Sequence, residues 1–243
     1  MIIVTGASEN HRLSLINFIN SFLTHCNNSA ELDTIIVYNL GIDVKKWTEL
    51  QTQFANYANI IYKIFDYSKY PEWFNINIEA GQYAWKPAII YETAIIHEKA
   101  NDIIIWMDAG NLITDGLEIL RNFIRVNGIY SGISNGSIND WTHPKTIDFF
   151  KCQKTDVQNR NGACLGFNTN ANFVKEFIKN YYEFCSMKEC ICPEGSSREN
   201  HRQDQSVFTI LFYYYKCIYK YDELNDIDEL LLTYSGYTIH NDV

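Results

Sequence analysis

Apolar residues in this chain fall into two kinds of run. Short, largely apolar runs occur at residues 1–5 (Met-Ile-Ile-Val-Thr), Thr34–Tyr38, Ile60–Phe65 and Ile103–Met107; each predicts a β-strand, the first of them buried. Between them lie segments of helical period. Leu13–His25 has apolar residues at 13, 15, 16, 18, 19, 22 and 23, a helical stripe. Lys45–Tyr57 is polar and helix-like, and Trp85–Lys99 reads as a helix with Pro87 in its first turn, where proline is tolerated. Ile103–Met107 is apolar at every position, which suits a central strand of a parallel sheet covered on both faces.

The first part of the chain therefore alternates β-α-β-α-β-α-β, the pattern of a doubly wound parallel sheet. Ligands of such sheets bind beyond the carboxyl ends of the strands. The loops after Val4, Tyr38, Phe65 and Met107 are the ones to watch, and their polar residues include Thr5, Ser8, Asp66 and Asp108. The second part is less regular. It predicts a helix over 115–126, a strand over 128–133 and a polar loop over 135–145. A short strand over 163–168, a helix over 171–184, a loop over 186–200 and a helix over 203–214 follow, with a strand or two in the tail 217–243.

A length of 243 residues suits one large domain, 1–243. The formal charge of −9 gives no sequence-wide reason to seek nucleic acid or an anionic membrane. No apolar run approaches the ~20 residues of a membrane span. The N-terminus lacks the basic region and cleavage site of a signal peptide. With seven cysteines, an odd count, this favours reduced thiols and a cytoplasmic protein. Cys185, Cys190, Cys192 and Cys217 do not have the spacing of a common zinc knuckle.

Val-Thr-Gly-Ala-Ser at 4–8 resembles the opening of short-chain dehydrogenases. Glu9, Asn10, His11 and Arg12 stand where further glycines would be needed, and no lysine has a tyrosine four residues before it. A nicotinamide enzyme is therefore disfavoured. Asp108 ends an apolar strand, where a carboxylate needs solvent, a metal or a donor. Lys86, at a helix start, sits where a phosphate is favoured. Asp204 opens the apolar helix after His201-Arg202, where the helix dipole favours its ionised form.

The order of 4–8, Lys86, Ile-Trp-Met-Asp-Ala-Gly-Asn (105–111), Asn161-Gly162-Ala163-Cys164 and Asp204-Gln205 resembles GT-A-fold glycosyltransferases, most closely glycogenin and the bacterial lipopolysaccharide galactosyltransferases. The resemblance implies a single-domain α/β fold, a GT-A-like doubly wound mixed, mostly parallel sheet flanked by helices. It implies a sugar transferred from a nucleotide-diphosphate donor, with UDP expected, to a hydroxyl acceptor on a glycan or protein. Thr5, Gly6, Ala7 and Ser8 would line the nucleoside, and Lys86 would contact the donor's phosphate or sugar. Asp108 would hold ribose or metal, in one donor-binding turn with Ala109, Gly110 and Asn111. Asn161 and Ala163 would sit by the donor sugar, and Asp204 and Gln205 close to the anomeric carbon. Arg202 is a candidate for part of the charge that meets the diphosphate. The family's metal, Mn²⁺ or Mg²⁺, would have Asp108 and His240 as ligands, but Gly110 stands where the second Asp of Asp-x-Asp is expected. The competing readings are a non-catalytic carbohydrate or protein-interaction module and a sugar-1-phosphate nucleotidyltransferase.

Overall fold

The computed structural model describes residues 1–26, 33–96, 103–219 and 236–238. In chain order the first part contains β1 (Ile2–Ala7), α1 (Arg12–His25), β2 (Thr34–Asn39), α2 (Val44–Gln53), β3 (Ile60–Ile64), α3 (Trp85–Ile96) and β4 (Ile103–Met107). There follow β5 (Leu112–Ile113), α4 (Glu118–Asn127), β6 (Ile129–Ser137), α5 (Ile138–Trp141), α6 (Pro144–Phe149) and β7 (Gln158–Asn168). The remainder is α7 (Asn172–Cys185), α8 (Lys188–Ile191), α9 (Gln203–Tyr219) and β8 (Tyr237–Thr238).

Six strands form one sheet in the order β3-β2-β1-β4-β7-β6. β1 runs parallel to β2 and β4, and β2 to β3, while β7 is antiparallel to both β4 and β6. The sheet is thus mixed and mostly parallel, with helices on both faces. Strand period 2 sorts the side chains between two cores. Ile2, Val4, Ile104 and Trp106 pack with α3, α7, α8 and α9, while Ile3, Ile105 and Met107 pack with α1, α2 and α4. All six residues of β1 and all five of β4 are buried, as unbroken apolar runs require. Among the described residues, no helix is long and apolar enough to cross a membrane.

The second part departs from the predicted elements in several places, among them β5 and the short helix α8 inside the loop predicted over 186–200. Residues 135–145, predicted as a polar loop, end β6 and hold α5 and the start of α6. A capping box between Ser137 and Asp140 starts α5, and Pro144 at the first position starts α6. β7 begins at Gln158, five residues before the predicted Ala163, and its polar start is paired inside the fold. Asn159 accepts from Thr209 Oγ1 at 2.9 Å, and the Arg160 guanidinium lies 4.1 Å from the Phe212 ring centre. α9 continues past the predicted Tyr214 to Tyr219.

Candidate active site

The carboxyl ends of β1, β2, β4 and β6 share one edge with the start of β7. A cleft of about 1060 Å³ opens along that edge. Because the strand order turns between β1 and β4, the cleft lies at the switch point where parallel sheets take ligands. At one end are Gly6, Ala7 and Ser8 with Leu40 and Gly41, and at the other Ser134, Asn135 and Trp141. Thr5, expected to line the nucleoside, has a fully buried side chain and is not among the lining residues. Asp66 caps the turn that follows it, accepting from the Ser68 amide at 3.1 Å, and also stays out of the cleft.

The floor is a charge network built from three elements. Lys86 comes from the first turn of α3, Asp108 from the end of β4 and Asp204 from the first turn of α9. The Lys86 ammonium lies 3.1 Å from Asp108, 3.4 Å from Asp204 and donates to the Gly162 carbonyl at 3.0 Å. Lys86 and Asp204 are both nearly inaccessible, whereas Asp108 is 38% exposed and faces the cleft. Burial pulls the Lys86 pKa down, but the two carboxylates more than reverse this and hold it above the usual lysine range. Burial pushes Asp204 up, with Lys86 offsetting part of the rise. Tyr181 of α7 donates its hydroxyl to Asp204 at 3.0 Å.

The turn after β4 is fastened to β7. The Asp108 amide donates to the Ala163 carbonyl at 2.9 Å, and Asn111 Nδ2 donates to the same oxygen at 2.8 Å. The Asn161 side chain accepts from the Ala163 amide at 2.6 Å. Trp106 Nε1 donates to Asp108 Oδ1 at 2.6 Å, fixing the carboxylate from below. Gly162 leaves open the space where a Cβ would come 3.4 Å from Gln205 and 3.7 Å from the Lys86 ammonium. Ala109, Gly110, Asn111, Asn161, Ala163, Arg202 and Gln205 all line the cleft with the floor triad. Apart from Thr5 and His240, every expected site residue therefore reaches this one cavity. His240 lies outside the described residues.

A divalent ion fits these side chains poorly. The single carboxylate of the turn, Asp108, already meets Trp106 and the Lys86 ammonium, and Gly110 offers no second. Among the described residues, no group of three His, Cys, Asp or Glu is arranged to hold a metal.

Sequence reading missed several contributors. Tyr181 lies within the helix predicted over 171–184 and Arg198 within the loop predicted over 186–200, and neither stands out there. Residues 79–83 form one left-handed turn, with φ of 47°, 56°, 61°, 49° and 59°. Such a turn strains its four non-glycine members and carries no sequence signature beyond Gly81.

No protein-family model matches the sequence, and no curated protein matches it. Solved structures do. The chain is similar to WbbM, a bifunctional glycosyltransferase in its apo form, at 14% identity and a TM-score of 0.59, over 88% of this chain and 37% of that one. It is similar to an active-site Gln-to-Glu mutant of LgtC at 16% identity and a TM-score of 0.57, over 87% and 70%. It is also similar to mouse xyloside xylosyltransferase 1 at 12% identity and a TM-score of 0.50, over 88% and 81%. This chain spans little more than a third of WbbM, the first of these relatives. Six strands in this order, with β7 antiparallel between β4 and β6 and a cleft at the switch point, give this chain a GT-A-like fold, the fold of these glycosyltransferases.

Proposed function

We propose that the protein is a glycosyltransferase acting on a nucleoside-diphosphate sugar, UDP-linked in the first instance, with a hydroxyl of a glycan or protein as acceptor. The observation that carries this reading is the buried Lys86 ammonium held between Asp108 and Asp204 on the cleft floor. In this reading 1–111 binds the nucleotide and 112–243 supplies the acceptor and catalytic half of a single domain. The nucleoside lies against Gly6, Ala7 and Ser8, where two of the three residues have no side chain beyond Cβ. The turn Asp108–Asn111 takes the ribose and diphosphate. Asn161 and Ala163 flank the donor sugar, and Gln205 and Asp204 lie under its anomeric carbon.

The reaction breaks the bond from the anomeric carbon to the diphosphate oxygen and forms one to the acceptor oxygen. The electron pair of the broken bond leaves with the diphosphate, and the acceptor's proton goes to a base. An oxocarbenium-like centre develops between the two events, and the Asp204 carboxylate and Gln205 amide oxygen stabilise it. Lys86 offsets part of the rise that burial imposes on the Asp204 pKa, favouring its ionised form at the point where positive charge develops. In an inverting course Asp204 takes the proton; in a retaining course Asp204 orients and stabilises the sugar and the proton passes to the departing diphosphate oxygen.

The test is a thermal-shift and hydrolysis panel of nucleotide sugars, each with and without Mn²⁺. A ligand at a hundredfold excess over its Kd adds roughly 2.7 kcal/mol of stability, so a true donor is visible. Asp204→Asn should keep the shift and lose turnover. A panel in which no nucleotide or nucleotide sugar moves the melting curve sinks the reading.

A further inference from the structure

The acidic and basic residues that line the cleft are Glu9, His11, Lys86, Asp108, Arg198, Arg202 and Asp204. Glu9 is bonded to Lys46 and lies 3.8 Å from Arg12, and Lys86 is paired with both aspartates. Arg198 and Arg202 differ. Among the described residues no carboxylate lies within ion-pair distance of either. In a chain of net charge −9, two cleft-lining guanidinium groups with no carboxylate of the described residues in reach call for an anion from outside.

Each is held on an aromatic ring. The Arg202 guanidinium lies 3.9 Å from the Trp141 ring centre, and its amide donates to the Trp141 carbonyl at 3.0 Å. Ser206 Oγ donates to that carbonyl at 2.7 Å. Gly136, at φ +77°, leaves room for Trp141, since a Cβ there would fall 2.5 Å from the indole nitrogen. The Arg198 guanidinium lies 5.7 Å from the centre of Tyr83, the last residue of the left-handed turn, and Lys86 lies 6.0 Å from the same ring. A guanidinium beside an aromatic ring keeps its N–H groups free to meet two oxygens of a carboxylate or a phosphate.

Position in the sheet separates this site from the nucleotide end. Trp141 follows β6, three strands from β1 and roughly 14 Å away at the usual strand spacing. A nucleoside at β1 and a diphosphate at the end of β4 put the donor sugar over β7, and the next group along lies over β6. We propose that the acceptor is an anionic sugar, bearing a carboxylate or a phosphate, and that Arg202 and Arg198 recognise its charge. The proposal rests on the glycosyl-transfer reading. It moves Arg202 from the donor's diphosphate to the acceptor.

The experiment uses the full chain saturated with UDP, titrated calorimetrically with glucose, glucuronate and glucose 6-phosphate at two salt concentrations. The charged sugars should bind about tenfold or more tightly than glucose, as a charge-assisted bidentate contact implies, and lose that margin at high salt. Glucuronate against glucose 6-phosphate then tells carboxylate from phosphate. Arg202→Gln and, separately, the exposed Arg198→Gln should each reduce the margin while UDP still binds. Equal binding of glucose and both anions overturns the acceptor proposal alone. So does a tenfold loss of UDP affinity in Arg202→Gln, which would return that arginine to the diphosphate. A wild-type chain that binds no nucleoside diphosphate overturns the transfer reading and the acceptor assignment together.

Discussion

On the cleft floor, the Lys86 ammonium sits 3.1 Å from Asp108 and 3.4 Å from Asp204, nearly inaccessible to water. On the β6 side, Arg198 and Arg202 lie on the rings of Tyr83 and Trp141 with no carboxylate of the described residues in reach. The floor's charges complete one another, so they are part of the fold as well as of the site. The wall's charges find no such complement among the described residues, and in the proposed reading a ligand supplies it. Changes to the floor should therefore cost stability and turnover together. Changes to the wall should cost ligand selectivity and leave folding almost alone.

The largest effect should follow Lys86→Met. It fills a similar volume but leaves Asp108 and Asp204 facing each other without a cation. Removing one partner of a buried ion pair costs about 3–5 kcal/mol. Urea denaturation at pH 7 measures this. Lowering the pH should shrink the deficit, because protonation of Asp204, whose pKa burial already raises, removes the uncompensated charge. A variant as stable as the parent at pH 7 would show that the floor is not a structural unit.

Acid should act on the wall through His201, the residue before Arg202. Its ring is fully buried, accepts the His143 amide on Nδ1 at 3.2 Å, and donates from Nε2 to the Ile191 carbonyl at 2.8 Å. Burial lowers its pKa from 6.5 to about 4. The unfolded chain therefore binds a proton that the folded chain refuses between those two values. Stability is complete above pH 6.5 and falls as pH drops toward 4, with about 2 kcal/mol lost at pH 5. Paired melts at pH 7 and pH 5, parent against His201→Gln, isolate this part. An equal drop in both proteins would mean His201 titrates normally.

How far the sequence discloses these two regions follows from their physics. β1, β2 and β4 are legible because strands covered on both faces are nearly all apolar, the edge strand β3 is legible from its β-branched run despite Lys63, and the helices between them keep a 3.6 period. Asp108 stands out as a carboxylate ending such a strand, and Lys86 and Asp204 as charges at helix starts. The wall offers no such contrast. The start of β7 is polar because Asn159 and Arg160 are satisfied by Thr209 and Phe212 of α9, contacts far away in sequence. Ser137, Asp140 and Pro144 look like loop residues and act as helix caps. Arg198 lies in a polar stretch, and nothing local tells that its side chain turns onto Tyr83.

The left-handed turn 79–83 carries Tyr83, and so joins the wall to the floor. Ala80 holds φ 56° and ψ 20°, a conformation that costs a residue with a Cβ roughly 1 kcal/mol and glycine almost nothing. Ala80→Gly should therefore stabilise the protein by up to about 1 kcal/mol, read as a rise in melting temperature. A lower melting temperature would mean that the Ala80 methyl group earns its place by packing.

The smallest stability effect separates wall from floor most sharply. Arg202 is half-buried, and its backbone bonds to Trp141 and Ser206 do not involve the side chain. Arg202→Gln removes the ring contact and keeps those bonds, so it should cost only about 0.5–1 kcal/mol, the worth of a partly exposed cation–π contact. The variant also loses one positive charge from a chain of net −9, which adds slightly to self-repulsion. If Arg202→Gln instead destabilised the chain as much as Lys86→Met, the guanidinium would be a structural cation like the floor lysine. The division between charges that build the cleft and charges that await a ligand would then fail.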